Sequence, residues 1–69
     1  MLTEVVMIYE FAVVTKVSEA EEQINWAKQC SSFVHARAES LGNMNTSHVA
    51  IYYMFRDEAD VTLFMITYS

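Results

Sequence analysis

The chain reads as an α/β (α+β) domain: a β-α-β core with one long helix on a small sheet, then a short C-terminal helix. Three observations predict it. Two segments, Thr3–Val17 and Ser47–Arg56, are dense in Val, Ile, Tyr and Phe, which suit a pleated surface. Between them runs a stretch without Pro that opens on a capping sequence and ends at Gly42, the one glycine of the chain. The whole is 69 residues long, 54% hydrophobic and 19% charged. That is one globular domain, residues 1–69, and not a disordered or repetitive chain.

In the first segment the odd positions Thr3, Val5, Met7, Tyr9, Phe11, Val13 and Thr15 make an apolar face, because side chains alternate along a strand. The even positions Glu4, Val6, Ile8, Glu10, Ala12, Val14 and Lys16 are apolar too, but broken by charge. Next, Ser18-Glu19-Ala20-Glu21 has the form of a capping box, and Gly42 after Leu41 suits the left-handed residue beyond a helix end. The spacing predicts a helix of about 23 residues and about 35 Å. On it Ala20, Ile24, Ala27, Val34, Ala38 and Leu41 form a stripe for the sheet. Trp26, Cys30 and Phe33 form a second, turned towards another element or chain.

The second strand, Ser47–Arg56, sets Val49, Ile51, Tyr53 and Phe55 on the helix side and His48, Ala50, Tyr52, Met54 and Arg56 on the other. Strand, long helix and strand predict a right-handed crossover with the two strands parallel, though not necessarily adjacent. The packed face is then Val5, Met7, Tyr9, Phe11, Val13, Ile24, Ala27, Val34, Ala38, Leu41, Val49, Ile51, Tyr53 and Phe55. At the end, Asp57-Glu58-Ala59-Asp60 caps a short helix in which Val61, Phe64, Met65 and Tyr68 share a face. The alternative is a third strand, Val61 to Tyr68, returning antiparallel.

Composition excludes several functions. Nine acids against four bases give a net charge of −5, the wrong sign for a general nucleic-acid binder. One cysteine and two histidines make neither a disulfide framework nor a zinc finger, so neither metal nor cofactor is expected. The apolar run Val5–Tyr9 is too short for a membrane span and lacks the positive start of a signal peptide. A free thiol fits a reducing cytoplasm. There is no glycine-rich phosphate loop, no glycine-flanked serine and no histidine pair at helical spacing, hence no catalytic residue to name. Cys30 reads as a small hydrophobe in a helix stripe.

Glu10 is the least expected residue, a carboxylate interrupting an apolar strand face. His48, Tyr52 and Arg56 lie on the matching face of the second strand, so the four define a candidate pocket of a small-molecule binder or simple enzyme; the plainer reading pairs Glu10 with Arg56 or with water at an interface. Tyr52, Tyr53 and Phe55 resemble the base-stacking aromatics of RNA-binding sheets, but two of them belong to the packed face and no basic groove accompanies them. A lesser alternative is that the acidic surface mimics nucleic-acid phosphates.

The segment Phe55-Arg56-Asp57-Glu58-Ala59-Asp60-Val61-Thr62-Leu63-Phe64, with the closing Tyr68, resembles the ending of many small accessory proteins of tailed bacteriophages. Those have an acidic turn, then Asp, a small residue, Thr, a Phe two positions later and an aromatic near the end; Val61 stands here where the small residue is usual. The resemblance covers about a fifth of the chain. It implies a protein made in an infected bacterium and directed at a host protein, and it carries no catalytic residues.

A chain this short buries only about 60% of the surface its unfolded state exposes, and it has no staples. One helix covers one sheet face. Val6, Ile8, Ala12, Val14, Ala50, Tyr52 and Met54 are left on the other, with Trp26 and Phe33 on the helix flank. These nine are the expected interface of a homo-oligomer, most simply a two-fold dimer.

Overall fold

The computed structural model describes residues 7–42 and 46–68. The elements run β1 (Tyr9–Lys16), α1 (Val17–Lys28), β2 (Phe33–Ser40), β3 (His48–Phe55) and α2 (Glu58–Tyr68). They form an α+β domain with one three-stranded sheet, ordered β1-β3-β2. β3 is central and pairs antiparallel with both neighbours. Both helices lie on one face of that sheet: Ala27 of α1 and Phe64 of α2 share one buried cluster with Ile51, Tyr53 and Phe55 of β3.

This corrects the expected crossover. The two sequence-predicted strands, now β1 and β3, are adjacent and antiparallel rather than parallel. The reason is that the long helix does not exist. α1 ends at Lys28 and a third strand, β2, occupies Phe33–Ser40. A crossover is present, but it joins β1 to β2, which run parallel with β3 inserted between them, a split β-α-β unit.

Local chemistry explains the early stop. After Lys28 the amides tighten into three-residue turns, Gln29 N–H to Trp26 O at 3.1 Å and Cys30 N–H to Ala27 O at 3.0 Å. Cys30, Ser31, Ser32, Phe33 and Val34 are all poor helix formers, and the serines compete for backbone hydrogen bonds. Asp60 then holds the turn from outside: its Oδ2 accepts from Ser32 N–H at 3.2 Å and Ser32 Oγ–H at 2.5 Å. Replacing Ser32 with Ala is expected to cost about 1 kcal/mol of stability in urea unfolding, the worth of one hydrogen bond, while the far-ultraviolet spectrum stays unchanged.

The caps also differ from expectation. The N-cap of α1 is Lys16, which makes no side-chain cap bond, so Ser18 already lies inside the first turn and the capping box does not form. Gly42 is left-handed as predicted, with φ +102°, but it follows the end of β2 instead of a helix. α2 is a helix, not a third strand returning after the acidic turn. Asp57 caps it, its Oδ1 accepting from Ala59 N–H at 2.9 Å.

The core is aromatic. The Phe64 ring lies 4.6 Å from Tyr53, 5.0 Å from Tyr68, 5.2 Å from Phe11 and 5.7 Å from Trp26. Trp26 and Phe33 thus do not share one helix stripe: Trp26 faces another element, α2, as expected, while Phe33 belongs to β2. Trp26 meets α2 edge-on through Phe64 and Tyr68, and Phe33 meets Phe55, because the chain turns between them. Of the expected packed face, Met7, Ala38 and Leu41 are exposed and Val34 sits in a bulge. Val5 lies outside the described residues.

Candidate functional site

The face of the sheet opposite the helices is open. Register defines it: Glu10, Ala12, Val14 and Lys16 of β1 stand opposite Met54, Tyr52, Ala50 and His48 of β3, and His35, Arg37 and Glu39 of β2 stand opposite Met54, Tyr52 and Ala50. A bulge between Phe33 and His35 shifts the parity of β2, so Phe33 turns into the core while His35, Arg37 and Glu39 turn out. In an unbulged register Val34 would take the place opposite Phe55, and Phe33 would share the open face with His35.

This surface has an apolar centre and charged ends. Val14 is 60% exposed and Ala12 is exposed; Tyr52 and Met54 are half-buried, and Ala50 is buried. The Arg37 guanidinium stacks 4.3 Å above the Tyr52 ring and forms an ion pair with Glu39, two positions along the same strand. A cation held over an aromatic face fixes both groups without removing either from solvent.

The four expected pocket residues do not converge. Glu10 and Tyr52 share the open face as diagonal neighbours, since Glu10 opposes Met54 and Tyr52 opposes Ala12. His48 shares that face but lies six positions along β3 from Met54, about 20 Å away at strand spacing. Its Nδ1 is 2.9 Å from Ser47 Oγ. Arg56 lies beyond the end of β3 and is exposed, its backbone N–H donating to Ser32 O at 2.9 Å. The cation over Tyr52 is Arg37.

Of the expected interface, Ala12, Val14, Ala50, Tyr52 and Met54 form one continuous surface, and Ile8, 53% exposed, precedes β1. Trp26 and Phe33 belong to the core side, and Val6 lies outside the described residues. Sequence reasoning missed His35, Arg37 and Glu39. The available signal was the alternation of Arg37 and Glu39 with Ala36 and Ala38, a strand period inside a presumed helix.

Among the described residues, hollows lie behind this face and at its Lys16–His48 end. One, about 500 Å3, runs between α1 and the end of α2, past Glu21, Glu22, Asn25, Trp26, Gln29 and Tyr68. The other, about 620 Å3, lies at the start of α1 by Lys16, Val17, Ser47 and His48. Among the described residues, no group of three or more potential ligands is placed to hold a metal ion. Cys30 packs against the core, and burial, with Asp60 nearby, pushes its thiol pKa up, the opposite of what a nucleophile needs.

Fold and surface together define a class: a small α+β domain whose antiparallel sheet carries helices on one side and offers its other side to solvent. No protein-family model, curated protein or solved structure matches the chain. Among the described residues, no helix is long and apolar enough to cross a membrane.

Proposed function

We propose that this is a non-enzymatic binding protein, an accessory factor of a tailed bacteriophage that acts as a homo-oligomer in the cytoplasm of the infected cell. It presents the open sheet face to a host protein. The observation that carries the reading is the one-sided sheet: Ala12, Val14, Tyr52 and Met54 form an apolar surface that no element of the described chain covers. A soluble domain seldom leaves such a surface without a use. The stacked Arg37 and Tyr52 support the same reading, since these residue types dominate the energetics of protein interfaces. The separation of Glu10 from His48 speaks against the rival reading, a small-molecule site.

The test is a pull-down from bacterial lysate with three baits: the wild-type chain, Val14→Asp and Gln29→Asp. A stoichiometric host protein retained by the wild type and by Gln29→Asp, and lost by at least tenfold with Val14→Asp, is the expected result. Equal retention on all three baits, or a co-purifying metabolite that disappears with Glu10→Ala, refutes it. Circular dichroism on each bait confirms that the fold persists.

A further inference from the structure

We propose that the outer edge of β1 pairs with the same edge of a second copy, antiparallel about a two-fold axis at Val13, fusing two three-stranded sheets into one of six strands. This rests on the homo-oligomer reading above and gives it a location and a register.

The starting point is the asymmetry of the two sheet edges. β3 has a partner on each side, so the sheet ends at β2 and β1. Exposed edges invite pairing with another chain, and proteins blunt those that must stay single with bulges, prolines and charges. β2 is blunted by its bulge between Phe33 and His35, and its outward positions His35, Arg37 and Glu39 are all polar. β1 has no bulge, and its two charges flank an apolar stretch, Phe11–Val14. It keeps an unbroken register with β3 over all eight residues, contains no proline and carries charge only at Glu10 and Lys16. Among the described residues, none of its backbone groups bonds to a further strand on the outer side.

Its sequence then selects a register. Two copies of one strand that pair antiparallel, with the helices of both on the same side, must align residues of the same face. The alignment centred on Val13 places Glu10 opposite the partner's Lys16 and Lys16 opposite the partner's Glu10. Ala12 and Val14 meet each other between them on the open face. On the core side Val13 meets itself and Phe11 meets the partner's Thr15. Shifting the centre to Ala12 sets Glu10 against Val14 and leaves Lys16 facing Ile8; shifting it to Val14 sets Lys16 against Ala12. Only the Val13 register pairs both charges, and it covers Val14, 60% exposed in the single chain. The pairing takes up Ala12 and Val14 at the seam and leaves Tyr52, Met54 and Arg37 of each copy uncovered on the open face.

The experiment is sedimentation equilibrium of the full chain and of Glu10→Lys, Lys16→Glu and the double exchange, over micromolar concentrations. The expected wild-type mass is twice 7.9 kDa. Each single reversal meets two like-charge pairs across the seam and is expected to weaken the dimer at least tenfold; the double exchange restores it. A wild-type dimer indifferent to both single reversals overturns the edge register while leaving self-association intact. A wild-type chain that stays at 7.9 kDa overturns both. Dimers lost in the single variants and not restored in the double exchange also refute the register. Circular dichroism separates dissociation from unfolding in every case.

Discussion

Phe64→Ala is expected to cost about 3–5 kcal/mol, which for a domain of this size is most of its stability. Phe64 is 1% exposed and is the one fully buried side chain of α2. Its ring touches aromatic residues from β1, β3, α1 and its own helix, so its removal opens a cavity where four elements meet. The surrounding rings are large and stiff and cannot collapse into the space. α2 depends on this anchor more than most helices do. Beyond Asp60 it has no charged residue, and Leu63, Met65 and Ile66 on its outer side stay 49–70% exposed. The measurement is urea unfolding followed by Trp26 fluorescence, since Trp26 is the only tryptophan and lies 5.7 Å from Phe64. A Phe64→Leu chain should recover much of the loss, because the transferred area is largely restored. A Phe64→Ala chain that unfolds at the wild-type midpoint would show that α2 is not part of the cooperative core.

The elements that the sequence predicted well are those in which one local signal dominates. β1 and β3 are dense in β-branched and aromatic residues, and Asp57 caps α2 where the acidic turn said it would. β2 was hidden because its signals conflict. The bulge at Val34 puts Phe33 and Ala36 on one face despite their odd spacing, so no unbroken period of two runs through the segment. Phe33 also falls seven residues after Trp26, at helical spacing, and reads as the next turn of α1. What settles the segment is tertiary: β3 needs a second partner, and Asp60, 28 positions away, holds Ser32 in the turn. The pairing direction followed from that one misassigned strand. The open face was predicted in part. Parity alone identified Ala12, Val14, Ala50, Tyr52 and Met54, but Arg37 and Glu39 could join them only once β2 existed. Parity also grouped Glu10 with His48 without measuring the distance along the strand between them.

Tyr53→Phe is expected to cost about 1–3 kcal/mol at neutral pH, although only one oxygen is removed. The Tyr53 hydroxyl donates to Gln23 Oε1 at 2.8 Å, and both side chains are buried, Tyr53 at 0% and Gln23 at 4% exposure. The phenylalanine leaves that amide oxygen in the core without its donor, and water has no access to replace it. A Gln23→Leu, Tyr53→Phe double variant removes both polar partners and should regain much of the loss, which separates the unpaired oxygen from any packing defect. The same burial makes the bond a pH sensor. Desolvation, with Tyr68 nearby, raises the Tyr53 pKa above its ordinary 10.0, and burial raises Tyr68 as well. A tyrosine whose folded pKa is raised holds its proton in the native state while the unfolded chain loses its own. Its stability contribution is therefore full below pH 10 and is lost progressively as pH rises beyond it. Wild-type unfolding midpoints measured between pH 8 and pH 11 should fall steeply at the alkaline end, and the fall should be shallower in Tyr53→Phe, with Tyr68 supplying what remains. Parallel curves for the two chains would mean that the Tyr53 hydroxyl is reached by water, and that the Gln23 bond is not the buried tie between α1 and β3 that the geometry describes.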